Sequence, residues 1–535
     1  MRKILWYVVV VAAIVASSVA FAQGAPASAN GGSGLFHNLI YGFTVALSLQ
    51  NLWYCFIGCL IGTLIGVLPG IGPVATIAML LPLTFNLPTT PALIMLAGIF
   101  YGAMYGGSTT SILVNLPGEA ASVVTCLDGY QMGRQGRAGP ALAIAAIGSF
   151  FAGCVGTLLI ALFGPPLAEL AFQFGAAEYF SMMVLGLLSA VVLASGSVLK
   201  AIAMIIVGLL GGIVGTDVNS GIARYSFNIS ELSDGIGFVG VAMGMFGFGE
   251  IINSLERAAA AGKIEISEVK SLMPTIEDIK MSIGPILRGT AVGVGIGILP
   301  GAAAVIASFS SYTLEKKIAK DPTRFGKGAI EGVAGPESAN NAAAQCSFIP
   351  MLTLGIPTSA VMVLMVGAMT IQGIAPGPQV MTQRPDLFWG MIASMWIGNL
   401  MLVILNLPLV GMWVQFLKIP YRLLFPGITL FICVGAFSLN NSAFDVYVTA
   451  FFGFFGYYAS RWGCEGAPLI LGFVLGPLME ENLRRAMLIS RGDPSVFFTR
   501  PISAGMLAVA GLLLILIVVP QIRKKRAEVI AEGAD

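Results

Sequence analysis

Between Lys3 and Arg134 the chain carries no lysine or arginine. So long a tract without a basic residue, most of it apolar, has no solution as a water-soluble fold. Over the whole chain 57% of residues are hydrophobic and 10% charged, too few polar side chains to clothe a soluble surface, so the composition defines a membrane protein. A hydrocarbon core of roughly 30 Å takes about 20 apolar residues per helix. Runs of that kind recur along nearly the whole chain, clearest at 139–163, 177–195, 198–215, 235–253, 387–407, 422–439 and 501–520. Lipid offers no partner to a free backbone group, so spans are helices or closed barrels, and the alternation of barrel strands is absent. The expectation is an all-α polytopic membrane protein with roughly 10–14 membrane segments.

The first thirty-four residues join "MRK" to an apolar run and "AFAQG", the pattern of a signal peptide cleaved after Ala22 or of an uncleaved first helix. The net charge of +2 says little about partners. Cys55 and Cys59 lie one helical turn apart without a His or further Cys nearby, and read as small packing residues rather than metal ligands. His37, the single histidine, reads as an interfacial side chain in "LFHNLIYGF".

One pattern occurs twice. Gly58–Val74, containing "GVLPGIGP", aligns without gaps on Gly289–Val305, and eight of the seventeen positions are identical. In each copy four glycines fall at i, i+4, i+8 and i+12, a smooth strip on one helix face that lets another backbone approach closely. Pro69 and Pro300 then lack an N–H and clash with the preceding turn, so each helix breaks there and frees backbone polar groups. In lipid such groups must face protein or a wet cavity. A second pair follows in the same order, "SILVNLPGEA" from Ser111 and "MLTLGIPTSA" from Met351. Four broken segments, two from each half, are expected to meet near the membrane midplane, the arrangement of repeat-built secondary transporters.

Charge orients the copies. The loop after the first, "NLPTTP" from Asn86, has no basic residue, whereas the loop after the second carries Lys316, Lys317, Lys320, Arg324 and Lys327. By the positive-inside rule they lie on opposite sides. The loop before the second copy holds Arg257, Lys263, Lys270 and Lys280, so 283–314 reads as a re-entrant hairpin from the cytoplasm and 51–85 as its counterpart from outside. The chain thus divides into a leader (1–34), a first repeat (35–255), a cytoplasmic linker (256–282), a second repeat with C-terminal helices (283–520) and a basic cytoplasmic tail (521–535) bearing "RKKR".

Polar residues gather around the breaks: Ser108, Thr109, Thr110, Ser111, Asn115 and Glu119 in the first half, beside Pro117 and Gly118, and Glu337, Ser338, Asn340, Asn341 and Gln345 in the second, followed by Thr358 and Ser359 after Gly355 and Pro357. Freed carbonyls and side-chain oxygens can replace the hydration shell of a small cation, while backbone N–H groups at half-helix ends can hold carboxylates. The plainer alternative is interhelical hydrogen bonding by Ser, Thr and Asn. Glu119 and Glu337 read either as proton carriers or sodium ligands at membrane depth, or as loop residues at its surface. Arg288 reads as functional or as a snorkelling side chain near a span end.

The runs "LIGVLPGIGPVATIAMLLPLTF", "YGAMYGGSTTSILVNLPGEAASVVTCLDGYQMGRQGRAGPAL", "GVAGPESANNAAAQCSFIPMLTLGIPTSAVM" and "LGPLMEENLRRAMLISRGD" resemble the large membrane subunit of the tripartite tricarboxylate transporters, over residues 35 to about 520. "GTDVNSGIARYSFN" from Gly215 resembles that family's Gly-Thr-Asp loop, with "VNSG" departing from the commoner form. The resemblance implies uptake of di- or tricarboxylates in the bacterial inner membrane, driven by a gradient of Na+ or H+. It implies two partners, a small four-helix membrane subunit and a periplasmic solute-binding protein, and no cofactor, metal or nucleic acid. The matching positions include the Gly66–Pro73 turn (Gly66, Pro69, Gly70, Gly72), Ser108 to Glu119, Pro300 and Gly301, Glu337 to Asn341, and Gly355 to Thr358.

Three other classes compete. The membrane subunit of an ATP-driven importer finds no GxxxxGK[ST] in this chain, since "FGKGAI" at Phe325 lacks the final hydroxyl residue. An intramembrane enzyme would need an HExxH or a nucleophile with a nearby base, and one peripheral histidine supplies neither. A passive channel would show flux without ion coupling.

Overall fold

The computed structural model describes residues 34–68, 72–193, 197–217, 220–260, 266–269, 271–299, 303–417 and 421–518. The expected leader, Pro69, Gly70, Pro300, Gly301 and the basic tail lie outside the described residues.

The described chain is helical almost throughout. In order come α1 (Leu35–Ala46), α2 (Leu49–Val67), α3 (Gly72–Thr84), α4 (Thr89–Val114), α5 (Val123–Met132), α6 (Ala138–Ala171), α7 (Ala176–Leu193), α8 (Val198–Gly212), α9 (Phe238–Ala242) and α10 (Gly249–Ala260). The second half continues with α11 (Ile276–Gly297), α12 (Ala303–Ile318), α13 (Glu331–Cys346), α14 (Phe348–Leu354), α15 (Ala360–Ile371), α16 (Gln379–Gln383), α17 (Pro385–Asn406) and α18 (Val410–Phe416). It closes with α19 (Tyr421–Asn440), α20 (Ala443–Arg461), α21 (Gly466–Ile489), α22 (Val496–Thr499) and α23 (Pro501–Val518). Among the described residues the only strands are a two-residue pair, Gly215–Thr216 against Ala223–Arg224. Among the described residues four helical runs are long and apolar enough to cross a bilayer, namely α2, α4, Ala120–Ala171 and α17, and eight shorter apolar helices of 10–17 residues accompany them. The chain is an all-α polytopic membrane protein.

Local chemistry sets several of these ends. Ser48 caps α2 by accepting from Asn51 N at 3.4 Å, and Thr275 with Asp278 forms a reciprocal capping box at α11, each satisfying backbone donors that a helix start leaves free.

The glycine strips decide how helices pack. A Cβ on Gly62 would fall 2.8 Å from Ile99 Cα, and one on Gly58 3.0 Å from Met95 Cα; Gly66 meets Ala103 and Gly106. In the second copy Gly289, Gly293 and Gly297 meet Gly335, Ala339 and Ala343 in the same manner. Because both series ascend together, α2 runs parallel to α4, and α11 runs parallel to α13. At 1.5 Å per residue the thirteen residues of α3 cover about 20 Å, enough to carry the chain back to the start of α4. Each copy is therefore a helical hairpin whose helices stop on either side of the proline, followed by a helix parallel to the first arm.

The halves run in opposite directions. Phe100 of α4 packs on Phe348 of α14 with ring centroids 6.2 Å apart, while Ser108, two turns further along α4, bonds Glu337 of α13 at 2.5 Å. One index rises as the other falls, so α4 is antiparallel to α13–α14, and the hairpins parallel to them are mutually inverted. The halves also interlock. The segment after the first reversal (Ala120–Met132) packs on α12 of the second hairpin, and α15, after the second reversal, packs on α3 of the first.

Candidate functional site

Both halves reverse direction through the same backbone. α4 ends at Asn115 in the left-handed region (φ 57, ψ 29), and after Leu116, Pro117 and Gly118 the chain restarts at Glu119, an extended N-cap (φ −150, ψ 166). α14 ends at Gly355, also left-handed (φ 74, ψ 17), and after Ile356, Pro357 and Thr358 restarts at Ser359 (φ −149, ψ 167). The helix-stopping residue, the proline that cannot continue a helix and the capping side chain recur in order. Glu119 accepts from Ala121 N at 2.7 Å; Ser359 accepts from Met362 N at 3.3 Å.

The first reversal seats itself on the end of the first hairpin arm. Thr110 donates its hydroxyl toward the carbonyls of Gly66 (3.2 Å) and Val67 (2.9 Å), two of the acceptors a helix C-terminus leaves unmet. Gly118 lies against the Gly66 carbonyl, and a Cβ there would come 2.5 Å from Gly107 Cα. Ser111 donates to the Ser122 carbonyl at 3.0 Å.

Beside this seat the halves join through polar groups. Glu337 is fully buried; its Oε2 accepts from Ser108 at 2.5 Å, and its Oε1 accepts from Thr125 of α5. Glu119, half-buried, accepts from Asn340 Nδ2 at 2.9 Å. Asn341 donates to Ser149 of α6 at 2.7 Å and to the Glu337 carbonyl at 3.1 Å. The Asn340 Oδ1 is buried with no hydrogen-bond partner among the described residues. No ion pair among the described residues involves Glu119 or Glu337. A carboxylate withdrawn from water without a counter-charge is costly, so these two groups call for a cation or a proton.

The structure thus brings Gly66, Ser108, Thr110, Gly118, Glu119, Glu337, Asn340 and Asn341 together. Thr109 lines a small cavity beside Ser108, and Asn115 and Pro117 form the reversal. Ser338 turns away, back-bonding the Ala334 carbonyl at 2.8 Å, and Gly72 (φ +64) starts α3 with open space around it. The expectation that all four breaks meet is not met by the second reversal. Gly355 packs on the Pro376 carbonyl and Thr358 reaches the Ser347 carbonyl at 3.5 Å. The physical reason is chain length: eighteen residues separate Glu337 from Gly355, roughly 27 Å if helical.

Thr125, Ser149 and Asp128 were not singled out from the sequence. Asp128, buried on α5, accepts from Gly328 N (2.7 Å), Ala329 N (2.8 Å) and Tyr312 Oη (2.9 Å), fastening the first repeat to the start of α13. Its one sequence signal is an acid inside "TCLDGYQM". Arg288 makes a bidentate pair with Glu315 across the second hairpin, at 2.8 and 2.7 Å, rather than snorkelling alone. The Gly215 loop and the "LGPLMEENLRR" run meet each other: Asp217 accepts from Arg484 at 3.1 Å, and Arg224 bonds Glu480 at 2.8 Å. His37 is exposed, and Cys55 and Cys59 are buried and free.

Inverted, interlocked helical hairpins around a buried polar cluster define a class, the repeat-built membrane proteins. Within it, residues 52–471 match the tripartite tricarboxylate transporter TctA family, and the chain belongs to that family. It is 58% identical over 498 residues, 93% of this chain and 99% of the relative, to the "Uncharacterized 52.8 kDa protein in TAR-I ttuC' 3'region" of Agrobacterium vitis. It is 62% identical over 237 residues, 44% of this chain and 98% of the relative, to the "Uncharacterized protein in TAR-II ttuC' 3'region" of the same organism. No solved structure matches the chain.

Proposed function

We propose that this chain is the large membrane subunit of a binding-protein-dependent secondary transporter that takes up di- or tricarboxylates, driven by a cation gradient, by alternating access. The observation that carries the reading is Glu337: a fully buried acid of the second repeat held by two hydroxyls of the first, with no basic partner among the described residues. Such a group sits at the joint between two halves and responds to any cation that reaches it. Helix starts after the breaks, at Gly72 and Ala303, present positive dipole ends to a substrate carboxylate. The polar residues between them serve the cation. A small four-helix subunit and a periplasmic solute-binding protein complete the machine in the bacterial inner membrane, with the C-terminus cytoplasmic.

The test is uptake of labelled citrate and succinate into sealed vesicles containing the large subunit, the small subunit and the binding protein. Accumulation that follows an imposed ion gradient, needs the binding protein and proceeds without ATP supports the reading. Uptake that requires ATP, or flux that never exceeds equilibration, contradicts it.

A further inference from the structure

We propose that the coupling ion is a proton, that Glu337 carries it, and that a file of buried polar side chains links Glu337 to the outer half of the bundle. The proposal rests on the transport reading above and names the ion that its central acid takes.

The two acids are held by chemically different partners. Glu119 accepts from an amide N–H on each side, Ala121 N at 2.7 Å and Asn340 Nδ2 at 2.9 Å. These groups only donate, so they suit the ionised carboxylate. Glu337 is held by hydroxyls, Ser108 and Thr125, which both donate and accept. The Ser108 hydroxyl also lies 3.1 Å from the Met104 carbonyl. When Glu337 is ionised, Ser108 gives its single hydrogen to the carboxylate. When Glu337 is protonated, its O–H donates to Ser108, whose hydrogen turns to the Met104 carbonyl. Both forms are satisfied by one hydroxyl rotation, which is the requirement for a residue that takes up and gives up a proton at low cost.

A route leads away from it. Glu337, Asn341 and Gln345 lie at i, i+4 and i+8, on one face of α13. Gln345 stands beside Gly156 and Asn399 beside Gly153, one turn apart on α6. Tyr105 Oη reaches Asn399 Oδ1 at 3.4 Å. Tyr101 Oη, Asn399 Nδ2 and both polar atoms of Gln345 are buried without a hydrogen-bond partner among the described residues, on side chains 1%, 1% and 2% exposed. Such buried atoms are costly unless water meets them, so a cluster of them in one seam fits a hydrated track. A cavity of about 10 Å³ bounded by Tyr105, Ser108, Thr109 and Ser149 is on the order of one water in size and lies at the Glu337 end. By the charge of the flanking loops the track points away from the basic 316–327 side.

The titratable groups on the elements around Glu337 are Glu119 at the first reversal, Tyr101 and Tyr105 on α4, Cys126, Asp128 and Tyr130 on α5, Cys154 and Glu169 on α6, Glu277, Asp278, Lys280 and Arg288 on α11, Tyr312, Glu315, Lys316 and Lys317 on α12, and Glu331 and Cys346 on α13 itself. Of the cations in that set Arg288 is taken by Glu315, and no ion pair among the described residues involves Glu337.

The experiment uses the reconstituted three-component complex in sodium-free vesicles, with labelled citrate as probe and a pH-sensitive dye. Citrate–citrate exchange without any gradient is measured first; its absence removes the transport reading itself. Given exchange, citrate entry is expected to carry protons inward, and Glu337→Gln is expected to abolish gradient-driven accumulation and flatten the pH profile of whatever exchange remains. Glu337→Asp is expected to keep the proton movement with a displaced pH profile. Citrate entry by the unaltered complex without proton movement, entry that requires sodium, or an unchanged pH profile in Glu337→Gln overturns the proposal.

Discussion

The reversals at Asn115–Glu119 and Gly355–Ser359 share a central proline and nearly the same backbone angles at their first and last residues, and differ in the side chains that make their contacts. The first is pressed into the end of a hairpin through Gly118 and ends in an acid shared with Asn340 of the other repeat. The second carries a threonine where the first has its close-packed glycine, and ends in a serine that caps only its own helix. A duplicated frame supplies geometry twice, while charge and close approach are concentrated in one copy.

That contrast is open to direct tests. Gly118→Thr, which gives the first reversal the second one's residue, has no room beside Gly66 and Gly107, and a loss of about 3 kcal/mol is expected, read as disappearance of the monodisperse protein in detergent. The reciprocal Thr358→Gly removes one long hydrogen bond and adds chain entropy, for about 1 kcal/mol, and a full loss of folded protein there would break the comparison. Glu119→Gln keeps the shape but removes the charge, so folding is expected to persist in a thermal-shift assay while citrate uptake falls. Glu119→Ser, matching Ser359, is expected to lose more uptake than Ser359→Ala. Thr110→Val strips the hydroxyl from the Gly66 and Val67 carbonyls, for about 1 kcal/mol of thermal stability.

An effect of similar size belongs to the N-terminal end of α11. Burial alone would raise the Asp278 carboxyl, but hydrogen bonds from Thr275 and the neighbouring Arg137 bring it below the ordinary carboxylate range. Its contribution is therefore present above the unfolded value of about 3.9 and is lost as pH falls through the lower folded value. Asp278→Asn is expected to cost about 1 kcal/mol at neutral pH, a gap that closes in strong acid.

Much of the frame was legible. Glycines at four-residue spacing dictated which faces let backbones touch, and the described members of both strips do so. The repeated proline located where helices stop, and loop charge gave the inversion that the Phe100–Phe348 and Ser108–Glu337 pairs display. What escaped was contact across sequence. Thr125 and Glu337 are 212 residues apart and Asp128 and Gly328 are 200 apart, and no local period announces such pairs. Asn399 gave no signal because it is an isolated amide inside a largely apolar run. The expectation that four breaks share one hollow overlooked the antiparallel packing of α4 on α13–α14, which puts the two reversals at opposite ends of that pair and the second one on α3.

The measurement that bears most directly on the inverted, interlocked halves is cysteine cross-linking in a background freed of the seven native cysteines. With α4 antiparallel to α13–α14, Ser108→Cys with Glu337→Cys and Phe100→Cys with Phe348→Cys are expected to form disulfides, joining the halves across the molecule, while Ser108→Cys with Phe348→Cys stays reduced. Cross-linking of that last pair, with the first two unreactive in folded protein, would contradict the architecture and everything built on it.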